Sequence, residues 1–173
     1  RRQRQMCIRD SYNVLYVSCE VSKEIISERI DAALSDTLMK ELVKDRAKVE
    51  AEILKAYSNA GVFEIIDFPS GTLKVSALDR VLETYRNQGT VFDLVITDYA
   101  DIMAPERKME DLREGLRQIY IDLRALAHKW NAAFLTATQT NRDGAKAATA
   151  KATDVGDDWN KVRTVDVLIG LNA

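Results

Sequence analysis

The stretch Val91–Met103, VFDLVITDYADIM, constrains the fold more than any other. Leu94, Val95, Ile96 and Thr97 run without a charged break into Asp98, and the chain then turns polar. A short, near-continuous apolar run suits a strand buried on both faces, as in a parallel sheet covered by helices. In such sheets the ligand crevice lies at the carboxyl ends of the strands, where Asp98 falls. An acid there can hold a magnesium ion, often through water, beside a nucleotide's phosphates. Taken alone, the same acid also reads as a strand-terminating residue that caps a turn.

The remaining chain supplies neighbours for that strand. Asn13–Cys19 (NVLYVSC) reads as a strand that ends at Glu20. Ser22 is placed to cap a helix over Lys23–Leu34, with Ile26, Ile30, Ala33 and Leu34 on one face. Thr37–Asn59 reads as one longer, charged helix with an intermittent stripe of Leu38, Leu42, Ile53 and Tyr57, closed by Gly61. Phe63–Phe68 is a second strand, and Pro69, Ser70 and Gly71 form a turn. Ser76 and Asp79 have capping-box spacing for a helix that runs to about Asn87, with Gly89 at its end.

Beyond the opening stretch, Met103–Met109 reads as a loop carrying Arg107 and Lys108. Glu110–Lys129 is the clearest helix, with Leu112, Leu116, Ile119, Tyr120, Leu123, Ala127 and Trp130 at helical spacing. Ala132–Thr138 is a fourth strand ending at Gln139. Arg142–Thr153 is a small, polar, basic loop, Asp154–Arg163 is ambiguous, and Val165–Leu171 is a final strand. Strands alternating with helices mean an α/β sheet, mainly parallel, with right-handed crossovers.

Composition bounds the function classes. The 173 residues suffice for one domain with a sizeable core. No apolar run approaches the roughly 20 residues of a membrane span, and no signal peptide is visible. Cys7 and Cys19 have no metal spacing, so free thiols in a reducing compartment are expected. His128, the only histidine, sits late in a helix and reads as structural. A net charge of -2 leaves no general basic footprint for nucleic acid, so any such contact must come from local loops. The first twelve residues are basic through Arg1, Arg2, Arg4 and Arg9, against Asp10. RRQRQMCIRDS shows neither helix nor strand period. Residues 1–12 read as a non-domain segment resembling translated sequencing-adapter sequence, the alternative being a disordered basic arm that binds nucleic acid.

Three strands end in polar residues of complementary type: Glu20, Asp98 and Gln139. In a parallel sheet those ends share one edge. The trio suits nucleoside triphosphate hydrolysis, which needs a metal to neutralise charge, a group to orient or deprotonate water, and a polar probe near the γ-phosphate. Asp98 suits the metal, Glu20 the water and Gln139 the phosphate. The alternative is that each merely caps its strand.

YVSCEVS, ITDYADIM, LRALAHKWNAAFLTATQTNR and VDVLIGLN, in that order, resemble the RecA-type ATPase core of DnaB-like hexameric replicative DNA helicases, closest to the phage-type members. The resemblance covers roughly residue 13 to the C-terminus. It implies a RecA-like P-loop NTPase fold over 13–173, mainly a parallel sheet with helices on both faces. It implies Glu20 as catalytic base, Asp98 as the Walker B metal residue and Gln139 as γ-phosphate sensor. ATP and Mg2+ would be the cofactors. By the same resemblance, Arg107, Lys108, Lys146 and Lys151 lie in loops that line a ring's central channel. They could meet the phosphates of single-stranded DNA. Arg142 could serve phosphate, DNA or a neighbouring subunit. A homo-hexamer, a primase or helicase loader as partner, and the cytoplasm of a bacterium or phage-infected cell are further implications. Another RecA-type ATPase (a recombinase, RadA-like or KaiC-like) and a non-catalytic DNA-binding or assembly module are the rival readings.

One departure stands out. The G-x-x-x-x-G-K-[ST] phosphate cradle, which precedes the Glu20 strand in that family, does not occur in the 173 residues. The expectation is therefore a domain incomplete at its N-terminus. Alone it would bind ATP weakly and leave sheet edges open to aggregation.

Overall fold

The computed structural model describes residues 12–58, 60–139 and 160–171. Four strands form one parallel sheet: β1 (Val14–Ser18), β2 (Phe63–Asp67), β3 (Leu94–Asp98) and β4 (Ala133–Thr136), in the order β2-β1-β3-β4. Ser18 pairs with Asp67 on one side and Asp98 on the other, and Thr97 pairs with Thr136. The ladder between β1 and β3 continues one step past the strands, where the Cys19 N–H donates to the Asp98 carbonyl at 2.8 Å.

Both faces of the sheet are covered, as the apolar run of β3 predicts. On one face Leu15, Val17 and Val95 join Leu78 and Leu82 of α3 (Val75–Asn87) and Ile119, Tyr120, Leu123 and Leu126 of α4 (Leu112–Trp130). On the other face Val14, Tyr16 and Ile96 pack with Ile26 and Ile30 of α1 (Lys23–Leu34). The two clusters use alternate residues of the same strands, which is the period-2 geometry of a pleated sheet.

Helix α1 has the bounds its periodicity predicts, with Ser22 at the N-cap, though the Ser22 side chain makes no capping hydrogen bond. Gly89 adopts φ +92 just after α3, the left-handed geometry that ends a helix cheaply only at glycine. Asn131 takes the same role after α4 at φ 48, its N–H reaching the Ala127 and His128 carbonyls.

Several expectations are corrected. The helix expected over Thr37–Asn59 is broken into a single 3-10 turn at Met39–Glu41 and α2 (Arg46–Tyr57). Leu38, Met39 and Val43 are exposed, so no buried stripe holds the first half helical. Gly61 plays no part, because Ser58 is the C-cap of α2. Leu112, counted on the apolar stripe of α4, is 83% exposed, and Leu126 takes the buried place. Ser76 and Asp79 form no capping box. Glu106 arrives from the loop after β3 and accepts from the Ser76 N–H at 2.7 Å and the Ser76 hydroxyl at 2.9 Å. Asp79 instead accepts from the Trp130 indole at 2.8 Å and the Lys129 ammonium at 2.6 Å, tying α3 to α4.

The final strand expected over Val165–Leu171 does not form; a short helix, α5 (Asn160–Thr164), precedes a stretch without regular secondary structure. Val167, Leu168, Ile169 and Leu171 are exposed there. A strand needs a ladder to join, and this segment pairs with none among the described residues. Among the described residues, no helix is long and apolar enough to cross a membrane.

The core and surface leucines separate experimentally. Leu78→Ala, at 0% exposure, is expected to lower unfolding free energy by about 2–5 kcal/mol. Leu112→Ala is expected to change it by less than about 0.5 kcal/mol. Urea titrations followed by circular dichroism measure both, and equal losses would place the core elsewhere.

Candidate functional site

The carboxyl ends of β1, β3 and β4 meet around Tyr99. Glu20 stands exposed just past β1, Asp98 closes β3 half-buried, and Gln139 lies exposed three residues beyond β4. The Gln139 amide donates to the Tyr99 hydroxyl at 3.3 Å. Burial pushes the Tyr99 phenol above its ordinary pKa, and the charges of Glu20, Asp101 and Asp98 add to the shift. Tyr99 thus feels two of the three residues as charges and holds the third by a hydrogen bond.

Asp98 is held from β1. The buried Tyr16 hydroxyl donates to Asp98 Oδ2. The two side chains share a sheet face because Tyr16 pairs with Ile96, two residues before Asp98. No salt bridge to Asp98 or Glu20 occurs among the described residues. No cluster of three or more metal-ligating side chains occurs there either. A single carboxylate with an open oxygen suits magnesium, which keeps several waters and leans on substrate phosphates.

Several residues at the site escape a sequence reading. The Thr136 hydroxyl donates to the Thr97 carbonyl at 2.8 Å and accepts from the Ala100 N–H at 2.9 Å, which locks the turn after Asp98 onto β4. Asp101 accepts from the Tyr120 hydroxyl and the Thr138 hydroxyl, both at 2.7 Å. Lys161 lies 2.9 Å from Asp101 Oδ1. The threonines at the end of β4 and the second acid of the DYAD segment are the available signals. Lys161 has none, because its partner is 60 positions away and no local pattern marks it.

Arg107 and Lys108 stand exposed on the loop after β3. That loop is anchored at its base, where the Ala104 N–H donates to the Leu73 carbonyl at 2.7 Å, and by Glu106 on Ser76. Pro105 packs near Gly115 of α4, its ring 3.6 Å from where a side chain would begin, an ordinary contact distance. Arg142, Lys146 and Lys151 lie outside the described residues, as do nearly all of residues 1–12. Trp130 is half-buried with Arg86 over its ring at 4.9 Å, and His128 is exposed.

The sequence profile of the DnaB-like helicase C-terminal domain matches residues 2–155. The chain belongs to that family. A DnaB-like replicative helicase of Enterobacteria phage T4 is 22% identical over 169 residues, covering 92% of this chain and 36% of the relative. The chain therefore spans about a third of that relative's length. A solved structure described as an ATPase domain superposes with a TM-score of 0.74 at 15% identity, over 89% of this chain and 57% of that one. A DnaB-like replicative helicase, described with its interactions with primase, superposes at 0.65 and 16% identity, over 79% of this chain and 34% of that one. At such identities the superpositions establish a shared fold, the parallel α/β sheet of RecA-type ATPase domains.

Cys19, a free buried thiol beside the site, offers a titration. Burial, and secondarily the Asp98 charge, pushes its pKa up to about 11. A thiol whose folded pKa is raised favours folding fully below its unfolded pKa, about 8.5, and loses that advantage as pH rises toward 11. The melting temperature of Cys19→Ser, normalised to its neutral-pH value, is expected to fall less than wild type across this window. Parallel curves would remove the thiol from the alkaline response.

Proposed function

We propose that this DnaB-like domain carries the hydrolysis and sensing half of an ATP-driven motor that moves on single-stranded DNA during replication. The observation that carries the reading is the meeting of three strand ends at Tyr99, with the Gln139 amide on its hydroxyl. Asp98, positioned by the Tyr16 hydroxyl, is the Walker B carboxylate and would hold Mg2+. The metal would neutralise phosphate charge. Glu20, exposed and without an ion pair among the described residues, takes the proton of the attacking water. Gln139, whose amide donates to the Tyr99 hydroxyl, would donate it to the γ-phosphate when nucleotide is bound.

Arg107 and Lys108 face solvent from an anchored loop, and with Arg142, Lys146 and Lys151 they supply phosphate contacts to single-stranded DNA. The G-x-x-x-x-G-K-[ST] cradle that such a motor needs does not occur in these 173 residues. A homo-hexameric ring, with a primase or loader as partner, completes the reading, with the bacterial or phage-infected cytoplasm as its setting.

A second reading rests on the absence of the G-x-x-x-x-G-K-[ST] motif from these residues: a non-catalytic module that serves assembly or DNA binding. The gene upstream of Tyr12 separates the two, since a phosphate-cradle motif there supports the motor.

In the intact protein, Glu20→Gln is expected to cut ATP hydrolysis by about 10²–10⁴-fold, the usual worth of a general base, while ATP binding survives. Near-normal turnover would remove Glu20 from its role. Neutralising Lys146 and Lys151 together is expected to weaken oligonucleotide binding. It should flatten the slope of log affinity against log salt by about 0.7 per lost phosphate contact. An unchanged slope would mean these lysines do not touch phosphate.

A further inference from the structure

Lys161 is a lysine in the interior: its side chain is 2% exposed, and that of its partner Asp101 is 12% exposed. Its ammonium lies 2.9 Å from Asp101 Oδ1 and finds no well-directed hydrogen bond among the described residues. Charge, rather than hydrogen-bond direction, therefore holds it. The ammonium also stands 5.7 Å from the centre of the Tyr120 ring. Arg124 fastens the same short helix to α4 by donating to the Thr164 carbonyl and to Asp166 Oδ1.

The carboxylate of Asp101 is used at both oxygens. Oδ1 takes the Tyr120 hydroxyl beside Lys161, and Oδ2 takes the Thr138 hydroxyl at 2.7 Å. Thr138 immediately precedes Gln139, and Tyr99 lies two residues before Asp101. The two hydrogen bonds, Thr138 to Asp101 and Gln139 to Tyr99, therefore close a small ring between the turn after β3 and the end of β4. Buried ion pairs are poor sources of net stability, and their better-attested use is to specify one arrangement. Without Lys161, Asp101 would be a buried carboxylate lacking its counter-charge. It would turn toward water, and that loosens its grip on Thr138.

We propose that Asp101 and Lys161 are the positioning pair of this site: through Thr138 they set where the Gln139 amide stands against Tyr99. Only the activity arm of the test rests on the sensing role given to Gln139 above. Neither residue touches the reacting atoms, and both act through Thr138.

Thr138→Val, which removes one hydrogen bond and no charge, and Lys161→Met, which removes the charge at similar length, are compared with wild type by 15N relaxation on the full 173-residue chain. The Gln139 backbone order parameter is expected to fall from about 0.85 to below about 0.6 in both variants, while β1 and β3 amides keep their shifts. An unmoved Gln139 overturns the pair. If Lys161→Met does not fold, Thr138→Val alone decides. In the intact protein, Thr138→Val is expected to lower kcat for ATP roughly 10- to 100-fold, with KM within about twofold. A loosened Gln139 with no ATP hydrolysis even in wild type sinks the motor reading and leaves the pair standing. A loosened Gln139 with unchanged kcat removes the sensing role given to Gln139 and leaves the positioning by the pair standing.

Discussion

The parallel ladder between β1 and β3 is the constraint from which the site follows. Its last bond, from the Cys19 N–H to the Asp98 carbonyl, places Glu20 and Asp98 at one edge whatever their side chains do. Parallel strands bond evenly and cannot be joined by a tight turn, so helices must cross over and cover both faces. That covering buries Leu15, Val17, Val95 and Ile96, and it leaves the carboxyl ends as the place where polar groups can gather at low cost. β4 then adds Gln139 to the same edge through its register with β3.

Once that edge exists, the acids at it are treated differently. Asp101 is buried beside a lysine, with both oxygens occupied. Asp98 is half-buried with a phenol on one oxygen, and Glu20 is left in solvent. A carboxylate already matched by an internal cation is a structural part, since a second cation would have to displace the first. The carboxylates left unmatched are the ones with affinity to spare. This division separates scaffold from site more clearly than the acids' spacing in the chain does.

What the sequence discloses follows from the range of each signal. Apolar runs and 3.6-residue stripes are local, so all four strands, α1, α3 and α4 are legible within a residue or two. The family profile and the RecA-type superposition bear out the resemblance carried by ITDYADIM and TQTNR. Signals that depend on distant partners misled. Ser76 looked ready for Asp79, but Glu106 reaches it from a loop 30 positions on. Leu38 reads as part of a helical stripe, but it is left in solvent. VDVLIGL has the composition of a strand but pairs with no strand among the described residues. Lys161 was invisible because its meaning lies entirely in Asp101.

The wiring of Asn13, at the foot of β1, bears on how the chain acquires its shape. Its side chain accepts from the Val62 N–H, 49 positions away, and its backbone N–H donates to Asp93, 80 positions away. The earliest strand of the described sheet to be synthesised is therefore flanked by two later ones, and neither exists when it emerges. Loop closure must be met before any such pairing is rewarded. An apolar VLYV segment waits in the open until both arrive, and during that interval the nascent chain depends on its surroundings to keep that segment from finding a stranger's edge.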